Sequence, residues 1–209
     1  YLFTMKPPKH VKPLPNVNIM LCNIDCKREV PLTDNESGRT FVEALEGWSA
    51  ISDNIFLWDY GINFDGYLTP FPNFHTMQKN IQLYKENDVT MYFAQVNGSK
   101  GGDFPELRSY MLSKLMWDPY QDADSLMTTF LDGYYGKAGK HIGDYLKILE
   151  GALLSSGKDL WIYDSAISHK DGMLNPQLLK TYNEIFDKAE KAVADDPEKL
   201  DRVRLSRLS

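Results

Sequence analysis

The stretch Asn54-Ile-Phe-Leu-Trp-Asp-Tyr-Gly-Ile-Asn-Phe-Asp65 decides how this chain is read. Its first half is apolar and rich in strand-forming side chains, and Gly61 ends the run. The spacing predicts a buried strand over residues 55–60 that finishes on Trp58-Asp59-Tyr60. In parallel α/β folds, and in (β/α) barrels above all, sites are built at the C-terminal ends of the strands. Aromatic plates beside a carboxylate suit a sugar, because the rings stack on its apolar face and the carboxylate takes its hydroxyls. Side chains alternate along a strand, so Phe56, Trp58 and Tyr60 share one face and Ile55, Leu57 and Asp59 the other. Either parity leaves a strand-end carboxylate able to turn upward to the rim. The alternative is an aromatic core with Asp59 capping the turn into Gly61.

Three more strands are expected, over residues 1–4, 16–22 and 89–95. Helical patterns lie between the last three strands. Residues 40–49 place Phe41, Leu45 and Trp48 on one face, and residues 74–84 place Phe74, Met77, Ile81 and Tyr84 on one face. Strand–helix–strand–helix–strand implies right-handed crossovers and a parallel sheet. The segment Lys6-Pro-Pro-Lys-His-Val-Lys-Pro-Leu-Pro15 cannot be helical and reads as an extended loop.

After Gln95 the character changes. Val96-Asn-Gly-Ser-Lys-Gly-Gly-Asp103 is a Gly-rich loop, and the rest is mostly helical, over about residues 105–117, 123–135, 139–154, 176–194 and 197–209. Asn175-Pro176 and Asp196-Pro197 each offer an N-cap followed by Pro at the first helical position. Trp161-Ile-Tyr163 reads as a short extended piece. The expected fold class is α/β: the C-terminal half of a TIM (β/α)8 barrel, with residues 1–103 supplying late strands and residues 104–209 a mainly helical region that completes and extends them. Four strands cannot close a barrel of eight. A small open α/β sheet, complete in itself, is the alternative.

The chain has 209 residues, 43% hydrophobic, with 12 Tyr, 10 Phe and 4 Trp, enough for a packed core. The net charge is −6 and no long Lys/Arg block occurs, which argues against nucleic acid as a partner. No apolar run approaches the roughly 20 residues of a membrane span. The opening on Tyr1-Leu-Phe-Thr4 and the close inside Asp201-Arg-Val-Arg-Leu-Ser-Arg-Leu-Ser209 suggest a piece of a longer protein, so the N-terminal half is an expected partner. Cys22 and Cys26, if extended, lie about 13 Å apart, too far for a disulfide unless the chain turns after Cys22.

Other groups fall on the same expected rim. Gln95 closes an apolar strand and either holds a sugar hydroxyl or satisfies loop backbone. Asn23, Asp25, Arg28 and Glu29 follow the strand at 16–22. Tyr67, Pro70, Pro72, Asn73 and His75 follow the triplet, with His75 a possible acid/base group or one that packs at a helix start. Glu106 opens a helix, where negative charge is favourable in itself, unless the Gly98–Gly102 loop folds over and brings it to the site. His10, His141 and His169 have no partner spacing. There is no metal-ligand cluster, phosphate loop, dinucleotide fingerprint or nucleophile elbow, so no metal or cofactor is expected. Glycoside hydrolysis usually needs two carboxyl groups, and no spacing here pairs two of them.

Several segments together carry a resemblance: Pro15-Asn-Val17, Phe41 with Leu45 and Trp48, Leu57-Trp-Asp-Tyr60, Pro70-Phe-Pro-Asn73, Glu106-Leu-Arg-Ser-Tyr110, Lys114-Leu-Met-Trp-Asp-Pro119 and Gly133-Tyr-Tyr-Gly136. In this order they resemble the bacterial domain of unknown function 4838, whose members include enzymes of glycoside hydrolase family 163. The resemblance covers the chain to about residue 150. It implies a retaining endo-β-N-acetylglucosaminidase-like (β/α)8 barrel acting on N-glycans, exported to the periplasm or cell surface, typically in gut Bacteroidota. It also implies that the catalytic carboxylates sit on a strand before Tyr1. Trp58, Asp59, Tyr60, Gln95 and Glu106 would then be substrate-binding groups, with no catalytic residue assignable in this chain. Where family members often carry a carboxylate, this chain has Ala94 and Gln95, which argues against acid/base work there.

Overall fold

A computed structural model describes residues 3–96 and 101–209. Three strands form a parallel sheet in the order β1 (Ile19–Cys22), β2 (Ile55–Tyr60), β3 (Val89–Gln95). The crossovers are α1 (Glu36–Ser49) and α2 (Phe74–Glu86). Beyond β3 come α3 (Pro105–Trp117), α4 (Ala123–Tyr135), α5 (Gly139–Ser156), α6 (Pro176–Ala192) and α7 (Pro197–Ser206). The α/β class and the parallel sheet agree with the sequence pattern. The described sheet has three strands rather than four, and it does not close.

The missing strand is the first. Phe3 and Thr4 lie in a turn, with the Phe3 ring fully exposed, while Tyr1 and Leu2 fall outside the described residues. The four prolines that follow leave no run of backbone donors with which to build a ladder. Strand β1 starts at Ile19 because Val17 N–H turns back to Leu14 O. Trp161-Ile-Tyr163 makes no ladder either. It crosses the strand ends as a loop, its Ile162 carbonyl accepting from Phe64 N–H at 2.6 Å.

Register fixes which side chains share a face. Leu21, Leu57 and Tyr92 stand side by side, as do Cys22, Trp58 and Phe93. The first face, with Ile55 and Leu57 fully buried, packs under α1 and α2, where Phe41 meets Tyr84 edge-on at 6.5 Å. The second face is open. Met20, Met91 and Phe93 on it are 46%, 40% and 43% exposed, and no helix of the described residues covers them. Parallel sheets normally bury both faces, so this asymmetry is the fold's most unusual feature.

The helical region shares one core with the sheet, running from Leu21 and Leu57 through Met111, Tyr145 and Leu149 to Val203. Its helices start where capping chemistry places them. Asn175 accepts from Gln177 N–H and Leu178 N–H, and Asp196 accepts from Lys199 N–H. Helix α3 begins on Phe104, held at φ 45° in the left-handed region, a conformation that costs a bulky residue about 1 kcal/mol or more. Its buried ring stacks on Tyr145 at 5.9 Å, and that packing holds the backbone there. Gly38 is required in α1, since a Cβ would stand 2.0 Å from the Leu32 carbonyl oxygen.

Candidate functional site

Trp58, Asp59 and Tyr60 do reach the C-terminal end of β2, but they part company there. Asp59 points to the helix-covered face. Its Oδ1 accepts from Asn23 Nδ2 at 2.6 Å and from Tyr60 N–H at 2.8 Å; its Oδ2 accepts from Tyr92 OH at 2.8 Å and Tyr84 OH at 3.1 Å. Four donors occupy the four acceptor positions of a carboxylate, so none is left for a ligand. Burial, and then the Asp59 charge, hold the Tyr84 and Tyr92 hydroxyls well above the usual phenol range, which keeps both as donors. The hollow beside them, lined by Arg28, Asp59, Asn80 and Tyr92, has a volume of about 20 Å³. That is room for a water molecule and far too little for a sugar ring.

Arg28, read from the sequence as a rim group, is buried instead. Its guanidinium donates to three carbonyls, Tyr60 O at 2.9 Å, Cys26 O at 2.5 Å and Asn23 O at 2.8 Å, and to Asn23 Oδ1 at 3.1 Å. It ties the loop after β1 to the end of β2. A turn does follow Cys22, yet the two thiols go to different partners, Cys22 Sγ to Tyr60 OH at 3.5 Å and Cys26 Sγ to Ser37 O at 3.6 Å. No disulfide joins them. Burial pushes the Cys26 thiol up to about 11. Asp25 is exposed, and Glu29 accepts from Leu160 N–H at 2.8 Å, so this loop anchors the segment that crosses the rim.

The aromatic side of the triplet is different. Trp58 meets Phe93 edge-on at 5.1 Å and stacks on Tyr60 at 6.3 Å. Tyr60 meets Phe64 at 5.6 Å, and Phe64 meets Tyr67 at 6.3 Å and Tyr163 at 6.0 Å. Six rings thus run from the open sheet face up over the strand ends. Phe93, Tyr67 and Tyr163 are exposed, Trp58 and Phe64 half-buried, and Tyr60 is buried between them. Gln95 stands opposite Tyr60 in register, its Oε1 accepting from Trp58 Nε1–H at 2.8 Å. Trp58, Tyr60 and Gln95 are therefore together. Tyr163 was not picked out from the sequence; an aromatic pair outside any helical pattern was the available signal.

The remaining expected rim groups are not part of this platform. Asn73 is buried, and its Oδ1 accepts from Arg108 Nη1 at 2.5 Å. Arg108, wholly buried, also donates to Phe71 O at 3.1 Å and Asp103 Oδ2 at 2.8 Å, and lies 4.5 Å over the Phe74 ring. This ion pair binds Pro70-Phe-Pro-Asn73 to Glu106-Leu-Arg-Ser-Tyr110, and nothing in the one-dimensional pattern announced it. His75 Nε2 faces Glu29 O at 2.8 Å; its Nδ1 lies 3.3 Å from Glu150 Oε2 without the alignment of a hydrogen bond. Burial opposes its protonation, but Glu150 and the Glu29 carbonyl outweigh that and raise its pKa. Glu106 sits exposed in the first turn of α3, on a separate small hollow with Gly101, Tyr134 and Arg202. Residues 98–100 of the loop expected to carry it inward lie outside the described residues. His169 is buried against Asp164 at 2.8 Å.

Among the described residues no three His, Cys, Asp or Glu side chains gather as a metal set, and no helix is long and apolar enough to cross a membrane. Residues 1–147 match the family described as Domain of unknown function (DUF4838). No curated protein and no solved structure matches the chain. The match spans most of the sequence, and the chain belongs to that family.

Proposed function

We propose that this member of the DUF4838 family is the late-strand part of a glycoside hydrolase module, one that binds and cleaves β-linked N-acetylglucosamine-containing glycans of the N-glycan type. The observation that carries this reading is the six-ring run at the strand ends, with the Gln95 amide beside it. The exposed Phe93, Tyr67 and Tyr163 rings, with Trp58 and Phe64 half-exposed between them, offer a sugar an apolar surface at the C-terminal end of a parallel sheet, and the amide offers a polar anchor.

Cleavage in this reading is retaining and substrate-assisted. One carboxylate orients the acetamide, whose oxygen attacks its own anomeric carbon while a second carboxyl group protonates the leaving oxygen, and water then opens the bicyclic intermediate. Both carboxyl groups belong to strands outside these 209 residues, in the N-terminal half of a (β/α)8 barrel. The open face of the sheet and the unpaired outer edges of β1 and β3 among the described residues support such neighbours. Export to the periplasm or cell surface belongs to the same reading.

The test is the full-length protein acting on an N-glycosylated substrate. It should release free glycan, and Trp58→Ala should lower kcat/KM by about tenfold through lost stacking. Unchanged kcat/KM in that variant removes Trp58 from the site. A second reading, a non-catalytic glycan-capture protein, is favoured by one observation: the carboxylate nearest the platform, Asp59, is fully engaged by Asn23, Tyr60, Tyr84 and Tyr92. Glycan binding by the full-length protein without release would decide for it.

A further inference from the structure

A second hollow shares no residue with the ring platform. It lies between the first turns of α2 and α4, the middle of α3 and the middle of α5, and has a volume of about 280 Å³. Ligand pockets start at roughly 300 Å³, so it has room for one small ring, unlike the water-sized space beside Asp59. Its floor is apolar: Phe74, Met111 and Leu146 are buried and Met127 half-buried. Methionine side chains adapt to a bound shape more readily than branched ones. Its mouth is polar and mostly accepts. The Gln78 amide nitrogen donates to Pro119 O at 3.0 Å and to Gln121 O, so both of its hydrogens are spent. The amide oxygen, with no donor among the described residues, is what remains for a ligand. The Asp124 carboxylate has no partner among the described residues, and the only polar partner of the Glu150 carboxylate there is His75 Nδ1, at 3.3 Å.

The charge of the lining is negative: the carboxylates of Asp122, Asp124 and Glu150 outnumber Lys147 and His75 together, whichever state His75 is in. The N-terminus of α4 would by itself favour an anion, but Asp122 already accepts its Asp124 and Ser125 N–H groups. We infer that this hollow is a binding site for a small organic ammonium ion, an amine carried on a ring-sized apolar body. The body lies on Phe74, Met111, Met127 and Leu146. The ammonium, which only donates, stands at the mouth among the Gln78 oxygen and the Asp124 and Glu150 carboxylates. An anion of the same shape meets acceptors and like charge there, and its own acceptors go unpaired. The site is independent of the glycan reading of the platform, and either can fail without the other.

The test titrates phenethylamine into the 209-residue chain at neutral pH, with the methionine methyl groups isotope-labelled, and reads their NMR shifts. The Met111 and Met127 methyls should move saturably, with a Kd of about 1 mM or tighter, while Met20 and Met91 on the open sheet face stay still. Phenylacetate keeps the ring and reverses the charge, and ethylamine keeps the charge without the ring. Each should bind about tenfold or more weaker than phenethylamine. Asp124→Asn and Glu150→Gln change an exposed and a half-buried position, and together they should weaken phenethylamine by about tenfold. Met111 and Met127 methyls that stay still at about 10 mM phenethylamine overturn the inference. So does phenylacetate or ethylamine binding as tightly as phenethylamine, or a double variant of unchanged affinity. The two comparison ligands act on the unaltered chain, so the outcome does not hang on how the variant folds.

Discussion

Arg108 and Asp59 show how far a residue's type stands from its role. Arg108 lies in a segment that reads as an ordinary helix start, yet it is wholly buried and joins Asp103, Asn73 and Phe71. Removing one member of a buried pair strands the other charge, at about 3–5 kcal/mol. Arg108→Met should therefore lower unfolding stability by about 3–5 kcal/mol in urea titration, and a loss below about 1 kcal/mol would show that Asp103 finds another partner. Asp59 was read from the sequence as a group that positions substrate, because strand parity alone left its direction open. Its four donors assign it to structure. Asp59→Asn sets an amide nitrogen against either the Asn23 and Tyr60 N–H donors or the Tyr84 and Tyr92 hydroxyls, which would have to turn from donors to acceptors, and should cost about 1–3 kcal/mol. A variant that loses glycan binding at unchanged stability would return Asp59 to the site. The places of Trp58, near the end of one apolar strand, and of Gln95, at the end of another, were legible. Their mutual hydrogen bond was not, since it joins residues 37 apart whose adjacency depends on register.

At the scale of elements, His75 links three pieces: its own helix α2, the loop after β1 through Glu29 O, and α5 through Glu150. Its pKa is raised above the ordinary 6.5 in the folded chain. A raised folded-state pKa gives stability that is fully present below about pH 6.5 and is lost as pH rises through the folded value. Comparing the chain with Glu150→Gln by denaturant unfolding across pH 5–9 should show a stability gap that is largest at the acid end and closes toward the alkaline end. A gap independent of pH would mean that the contact is not electrostatic. The elements themselves were largely readable. Strands β2 and β3 and helices α3 and α4 have the limits expected from the sequence; Gly61 ends β2, Pro105 opens α3, and the Asp122 N-cap and Gly136 bound α4. Phe3-Thr4 misled because an aromatic next to Thr has strand composition whether or not a neighbour exists to pair with it. Trp161-Ile-Tyr163 misled for the same reason: local propensity does not show that the segment is spent bridging Asn63 and Phe64 to the β1 loop.

At the scale of the molecule, one core runs from the helix-covered face of the sheet to α7, while the other face of the same sheet carries Met20, Met91 and Phe93 exposed and Phe56 and Trp58 half-buried. Asp59, Arg28 and Arg108 hold the strand ends and the loops on the packed side, and the rings and Gln95 are presented on the other. The central claim is that this second side binds glycan. It is tested most directly by titrating N,N′,N″-triacetylchitotriose into the 209-residue chain while recording two-dimensional indole and aromatic NMR spectra. The account predicts saturable shifts confined to the Trp58 indole, Phe93, Tyr60, Phe64, Tyr67 and Tyr163, abolished in Trp58→Ala. Shifts that spare these rings, or that persist unchanged in that variant, would contradict it.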